Sequence, residues 1–153
     1  MSQPSRQIDL DTSLGYLLKQ ASSALHSSME EVLRPLGMNI THYSCLELLA
    51  QRPGLSNSEL ARGAFVTRQS MNVLLHSLER DGIVTRPSRP TSGRALPTEL
   101  TTKGREQLTA ASAAVRRVED RMKANLSNDE RLLFGNMLAN CVSSLQVADA
   151  SIE

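Results

Sequence analysis

Two helix-start signals in the middle of the chain, at Ser56 and Thr67, most strongly limit the folds open to it. Ser56 opens the sequence Ser-Asn-Ser-Glu, a capping box that predicts a short helix over 57–63. After a brief glycine-containing turn over 63–66, Thr67 is placed to cap a second helix over 67–81, and the glycine that follows is placed to end it. Two helices joined in this way predict a helix-turn-helix.

The segment after the second helix has strand character on both sides of a basic loop. Residues 83–86 favour a strand, and 87–97 is rich in Pro, Ser, Gly and Arg. Residues 98–100 predict a returning strand before a helix start at Thr101. Because Pro97 cannot donate a ladder hydrogen bond, the returning strand must be short or lie at an edge. Strand, loop and strand directly after a helix-turn-helix predict a winged helix.

Helical periodicity extends over both ends of the chain as well. It predicts helices over 12–34 and 40–51 before the helix-turn-helix, and over 102–125 and 128–148 after the wing. The apolar rows of the first and last helices are too long for isolated helices in water, so we expect a homodimer to bury them. The residues expected in this interface are Leu14, Leu17, Leu18, Met137, Leu138, Cys141, Val142 and Leu145.

These elements predict a mainly α protein with a small β-wing (α+β). We expect an N-terminal dimerisation helix over 1–36 and a winged helix-turn-helix lobe over 37–101. Linking and dimerisation helices follow over 102–153.

The charge of the chain is unevenly distributed. Segment 62–105 holds eight basic residues and three acidic ones, a net +5, which leaves −4 for the rest of a chain whose total is +1. A basic middle of this kind is typical of a nucleic-acid-binding module, although a solvated basic face would give the same count. Aromatic residues make up only 3% of the chain, which argues against a stacking platform for single strands or RNA.

The face of helix 67–81 opposite its apolar row carries Arg68, Gln69 and Asn72. Arg can bond guanine bidentately and Gln or Asn can bond adenine in the same way, and a recognition helix presents its N-terminal residues to base edges. A helix made polar only for solubility is the alternative interpretation, which the adjoining turn and wing disfavour. Arginines in a wing loop are suited to phosphates or to a narrow minor groove. We therefore expect DNA contacts from Thr67, Arg68, Gln69, Ser70, Asn72, Val73, His76, Arg86, Arg89 and Arg94.

In the order and spacing of these segments, the chain resembles the MarR family of bacterial transcription regulators. The resemblance extends from about Leu14 to Leu145, and its most specific segments are VTRQSMNVLLHSLERDGIVTR and LTTKGREQL. It implies a triangular homodimer whose two winged helices read a palindromic operator in double-stranded DNA. It also implies a repressor of nearby genes that a small aromatic or phenolic effector releases from DNA.

Two positions depart from the family pattern. Members commonly carry Asp-x-Arg in the wing, an ion pair that braces it, whereas this chain has Ser92-Gly93-Arg94. The missing carboxylate predicts a looser wing that orders only on DNA, at a cost in affinity. The recognition helix has Val73 where the family often has Arg, which exchanges one basic contact for an apolar one.

The resemblance also indicates where an effector would bind. The matching residues are Lys19, His26, His42, Tyr43, Leu46 and Met71. A pocket with an apolar body and one or two cationic or hydrogen-bonding groups suits a planar carboxylate or phenol. His42 has a competing role, because it stands three residues after Asn39, where a capping residue is usual.

Three other kinds of protein fit the sequence less well. A redox-sensing regulator of the same fold would use Cys45, but this cysteine and Cys141 lie within helical runs where a small buried residue is expected. A winged-helix module that docks on protein would more readily expose aromatic or aliphatic anchors than the polar face of 67–81. An enzyme finds no support, because the sequence has no phosphate loop, metal spacing or nucleophile elbow. We expect no cofactor or metal, no membrane span, and a cytoplasmic location.

Overall fold

Six α-helices, one 3₁₀ turn and a two-stranded sheet form the described part of the chain, residues 7–86 and 97–150 of the computed structural model. The helices are α1 (Leu14–Leu33), α2 (Ile40–Gln51), α3 (Asn57–Gly63), α4 (Arg68–Arg80), α5 (Thr102–Met122) and α6 (Asn128–Ala150), and the strands are β1 (Val84–Thr85) and β2 (Glu99–Leu100). The chain divides into two compact units, residues 1–118 and 119–153. The mainly α fold with a small sheet after the helix-turn-helix is confirmed.

Most predicted boundaries are close to the observed ones. α2 and α3 have the predicted bounds, whereas α1 begins at Leu14 rather than at residue 12. The reason is that Ser13 caps α1, its hydroxyl accepting a hydrogen bond from the Tyr16 amide at 3.3 Å. The two strands are shorter than predicted, with two residues each.

The caps of the helix-turn-helix follow the sequence signals. The Thr67 hydroxyl accepts a hydrogen bond from the Ser70 amide at 3.0 Å, as predicted. The Ser56 hydroxyl accepts from the Glu59 amide at 3.2 Å, which confirms the cap. The Glu59 carboxylate accepts from the Ser56 hydroxyl rather than from the Ser56 amide, so the capping box is incomplete.

The turn between α3 and α4 differs from the expected glycine turn. Gly63 is the last residue of α3, and a Cβ there would lie 2.9 Å from Leu48 Cδ1 of α2. The left-handed residue of the turn is instead Phe65, with φ of 60°. The amides of Phe65 and Val66 donate to the carbonyls of Arg62 and Ala61 at 3.2 and 3.0 Å, the pair of bonds that defines a Schellman motif. Glycine here therefore permits helix packing, and an aromatic residue makes the turn.

One hydrophobic core lies within residues 1–118 and orients α4. Residues from α1 to α5 and from both strands contribute to it. On α4 the buried residues are Met71, Leu75 and Leu78, with Leu74 partly buried beside them. This is the predicted apolar row, and its burial leaves the opposite face of α4 in solvent.

The sheet is tied to the start of α5. β1 and β2 pair antiparallel, with Val84 opposite Leu100. The Thr101 amide donates to the Ile83 carbonyl at 3.0 Å, and its hydroxyl caps α5 by accepting from the Gly104 amide at 3.1 Å. The helix start predicted at Thr101 is thus confirmed. A Cβ on Gly104 would overlap the Ile83 carbonyl oxygen, so only glycine fits this approach of helix to strand.

Candidate nucleic-acid interface

The outer face of α4 presents the side chains that the sequence pattern predicted. All of the residues expected to contact DNA from α4 and its cap are exposed: Thr67, Arg68, Gln69, Ser70, Asn72, Val73 and His76. Arg68, Gln69 and His76 make no hydrogen bond or ion pair within the described residues, so their polar atoms are available to a ligand. The first turn of α4 carries no acidic residue, which keeps its positive dipole end open to an anion.

A second helix positions one of these side chains. Asn57 Nδ2 in α3 donates to Asn72 Oδ1 in α4 at 2.6 Å. The carbonyl oxygen of Asn72 keeps a second lone pair, and its own amide donors remain free for a base edge. Asn57 is not among the residues that the sequence pattern predicted to contact DNA. Its place within the capping box is the signal that could have indicated a polar side chain at this point.

Arg86 lies differently from the expected phosphate contacts. Its Nε atom is 3.5 Å from Glu79 Oε2, and its side chain is only 26% exposed. Nε and Nη2 are buried and make no hydrogen bond with the residues that the structure describes. A phosphate contact would require this side chain to leave Glu79. Arg89, Arg94 and the Ser92 departure lie outside the described residues.

The six residues expected around an effector differ in burial. Leu46 and Met71 are fully buried in the core, whereas Lys19 and His26 are exposed on α1. His42 and Tyr43 are partly buried. A cavity of about 220 Å³ on α2 includes Tyr43 and none of the other five; its lining residues are Tyr43, Ser44, Glu47, Leu48, Gln51, Arg52 and Gly63.

Glu47 connects α2 to α5 beside this cavity. Its carboxylate accepts hydrogen bonds from Gln51 Nε2 at 2.5 Å and from the Ser112 hydroxyl at 2.9 Å. Burial alone would raise the pKa of Glu47, but these bonds, one from Tyr43 and the charge of Arg116 hold it below 4.5. Glu47 therefore remains an anion that is largely satisfied by its own neighbours.

His42 has an unusual environment at the start of α2. Its amide donates to Asn39 Oδ1 at 2.8 Å, but its imidazole makes no hydrogen bond to Asn39, so the side-chain capping role is not confirmed. His42 Nε2 and Gln107 Oε1 are both buried without a hydrogen-bond partner among the described residues. Burial lowers the pKa of His42 below 6.5, although the nearby Gln107 side chain and the charge of Asp81 act in the opposite direction. Sequence reasoning did not identify Gln107, which lies on a different helix.

The two cysteines differ in exposure. Cys45 is fully buried, as expected of a core residue. Burial raises the pKa of its thiol to about 12 against the opposing charge of Arg86. A redox sensor requires an accessible thiolate, so this environment counts against the redox interpretation. Cys141 is exposed on the single chain.

Two further features bear on the kind of site present. Within residues 7–86 and 97–150, no group of His, Cys, Asp and Glu side chains is arranged to hold a metal ion. None of the described helices combines the length and the apolar character that crossing a membrane requires.

Comparison with known proteins agrees with this geometry. A family model described as MarR family matches residues 36–95. The HTH-type transcriptional repressor Rv2887 of Mycobacterium tuberculosis is 43% identical over 128 residues, which cover 84% of this chain and 92% of that protein.

Two solved structures of this relative have the same fold. The M. tuberculosis MarR family protein Rv2887 in complex with salicylic acid superposes with a TM-score of 0.72 at 42% identity, covering 86% of this chain and 97% of that one. The complex of the same protein with DNA superposes with a TM-score of 0.72 at 40% identity, covering 86% of this chain and 98% of that one. This relative is a transcriptional repressor rather than an enzyme, in agreement with the sequence-based expectation. The chain therefore belongs to the MarR family of DNA-binding transcriptional regulators.

Proposed function

We propose that this protein is a repressor that binds a palindromic operator near the genes it controls. The observation that carries the proposal is the exposed face of α4, where Arg68, Gln69 and Asn72 stand on a helix fixed by the core beneath it. A recognition helix inserted into the major groove would bring these side chains to base edges. The relative Rv2887 has been solved with DNA, which supports the same use of this fold here.

The operator-binding form is a homodimer. Leu14 is 81% exposed and Leu145 is 70% exposed on the single chain, and apolar faces of this extent are covered in soluble proteins. A second copy of the chain would cover them with the predicted interface residues, of which Leu138 is partly exposed and the rest are exposed. Two recognition helices related by a two-fold axis would read half-sites about one helical turn apart. In this proposal the dimerisation segments are 1–36 and 102–153, and the DNA-binding lobe is 37–101.

A small aromatic carboxylate or phenol releases the dimer from DNA. The relative Rv2887 has been solved with salicylic acid, a ligand of this class. The side chains of His42 and Gln107 lie close to each other in a buried position, and they offer polar groups with which such a ligand could form hydrogen bonds. An effector that binds better to a differently spaced dimer would shift the population away from the DNA-binding form.

Because its operator is chromosomal, we place the protein in the cytoplasm.

The proposal is tested by binding to the DNA directly upstream of the protein's own gene. Fluorescence anisotropy at two salt concentrations, with random duplex as competitor, should show tight, salt-dependent binding that random DNA does not displace. Salicylate should then weaken binding to the operator in a saturable manner. Binding no tighter than to random duplex, both here and in a selection of genomic fragments, would contradict a sequence-specific regulator.

A matched pair of variants separates base reading from overall charge. Arg68→Ala removes an exposed arginine from α4, and Arg117→Ala removes an exposed arginine from α5, outside the helix-turn-helix and the sheet. Only Arg68→Ala should reduce the preference for operator over random DNA. Equal losses from both variants would indicate that the chain binds DNA through its charge alone.

A further inference from the structure

The turn before α4 exposes an aromatic side chain on a strained backbone. Phe65 is 94% exposed, the largest exposed fraction among the large hydrophobic residues of the described chain. Its φ of 60° places it in the left-handed region, and it is the one non-glycine residue with positive φ in the described ranges. An apolar ring in solvent and a left-handed backbone are each unfavourable, and here they coincide.

Neither cost is required by the fold. The residue at this place in a Schellman motif is usually glycine, which adopts the left-handed conformation without penalty. The backbone bonds of the motif, from the Val66 amide to the Ala61 carbonyl and from the Phe65 amide to the Arg62 carbonyl, do not involve the ring. Strain that persists where glycine would remove it indicates a function for the side chain.

The position of Phe65 indicates which function this is. Phe65 stands two residues before Thr67, the N-cap of α4. The first residues of a recognition helix enter the major groove, so the turn that precedes them lies at the edge of that groove. The apolar group that the major groove offers there is the 5-methyl group of thymine, which phenylalanine can contact.

We propose that Phe65 reads a thymine at the edge of each operator half-site by packing its ring against the 5-methyl group. This inference rests on the proposed function, operator binding through α4. It assigns a sequence-reading role to a residue that carries no hydrogen-bonding group and lies outside the polar face of α4.

The surroundings of the ring favour DNA over a protein partner. A protein-docking site needs a contiguous apolar patch with aromatic or aliphatic anchors. The exposed residues nearest Phe65 in the chain are Arg62, Thr67 and Arg68, two basic residues and a hydroxyl. An aromatic ring flanked in the chain by exposed cationic and polar residues suits the mixed surface of a phosphate backbone and a groove edge.

Two substitutions of the same residue test the role of the ring in the full-length protein. Phe65→Gly removes the ring and the backbone strain, so Tm should rise by about 2–4 °C. Phe65→Ala removes the ring but keeps a side chain in the left-handed region, so it should not give this rise. Both variants should bind the operator found in the experiment above about tenfold more weakly than the wild type does, because two rings are lost per dimer. A purely structural role would make Phe65→Gly bind at least as well as the wild type.

The operator supplies the second half of the test. Thymines of the selected duplex are replaced one at a time by deoxyuridine, which removes only the methyl group. At one thymine in each half-site, the replacement should weaken binding by the wild-type protein about threefold or more. The same replacement should not change the affinity of either Phe65 variant. If no replacement acts in this way, or if both variants bind like the wild type, thymine reading by Phe65 is overturned. Wild-type protein that prefers no sequence over random DNA would instead overturn the proposed function and this inference with it.

Discussion

Asn57 Nδ2 and Asn72 Oδ1 are 2.6 Å apart, so the amide of a residue in α3 holds the amide of a residue on the exposed face of α4. An asparagine that reads adenine must orient its amide so that the carbonyl oxygen and the NH₂ group both face the edge of the base. By fixing the rotation of the Asn72 amide before DNA arrives, Asn57 reduces the entropy lost on binding.

Asn57→Ala should therefore weaken operator binding by about 3–10-fold. Of the base pairs in the operator, only the one that Asn72 reads should be recognised less specifically. The measurement is a double-mutant cycle by fluorescence anisotropy, using Asn57→Ala, Asn72→Ala and the double variant. In the Asn72→Ala background, Asn57→Ala should have almost no further effect. Additive losses would show that Asn57 acts on DNA independently of Asn72.

Gly104 allows α5 to approach β1 at the Ile83 carbonyl oxygen. Gly104→Ala should lower the free energy of unfolding by about 1–3 kcal/mol, because its methyl group would overlap a backbone atom that cannot move alone. Urea denaturation at fixed protein concentration measures this change. The matched control is Gly135→Ala in α6, where a Cβ meets nothing within 4 Å in the single chain. It should instead raise stability by about 0.5–1 kcal/mol, and a similar loss from both variants would refute the steric explanation.

These two sites show what the sequence could and could not establish. Caps and apolar rows are local patterns, so the sequence correctly predicted the Thr67 cap, the buried row of α4 and its exposed polar face. Gly63 and Gly104 belong to neither of these local patterns, because each is required by a close contact with an element distant in the chain. The Asn57–Asn72 bond likewise depends on how α3 and α4 pack.

The turn before α4 and the base of the wing show a second limit to prediction from the sequence. The sequence predicted a glycine-containing turn over 63–66 but did not indicate that Phe65 would be its left-handed residue. The DNA contact expected of Arg86 stays a prediction, and the sequence did not indicate that its guanidinium lies beside Glu79 in the chain without DNA. Composition reports which side chains are present, but the direction of each one is decided by its neighbours in three dimensions.

Arg68 and Arg89 should differ in what they contribute to binding. Arg68 is exposed on α4, so Arg68→Ala should cost about 1–3 kcal/mol on the operator and relax specificity at one base pair. Arg89→Ala, in the predicted wing loop, should weaken binding to all sequences alike and make the salt dependence shallower. Anisotropy titrations on operator and random duplex at several salt concentrations distinguish the two effects. If both variants lose the same affinity for operator and for random duplex, this division of roles is wrong.

Burial of His42 should make stability depend on pH in the weakly acidic range. Because its pKa is lowered below 6.5 in the folded chain, the unfolded chain binds a proton that the folded chain does not. The resulting stability is fully present above about pH 6.5 and is lost as the pH falls through the lower, folded value. Glu47, whose pKa lies below 4.5, loses its contribution only in more acidic solution.

The free energy of unfolding should thus fall between about pH 7 and about pH 5, measured by urea denaturation at one protein concentration. His42→Gln removes the titrating group and should flatten this slope. His76→Gln, which replaces an exposed histidine of α4, is the matched control and should keep the wild-type slope. If salicylate binds beside His42, its carboxylate should favour the protonated imidazole. Salicylate binding should then be accompanied by the uptake of a proton. If His42→Gln leaves the slope unchanged, burial of this imidazole is not its source.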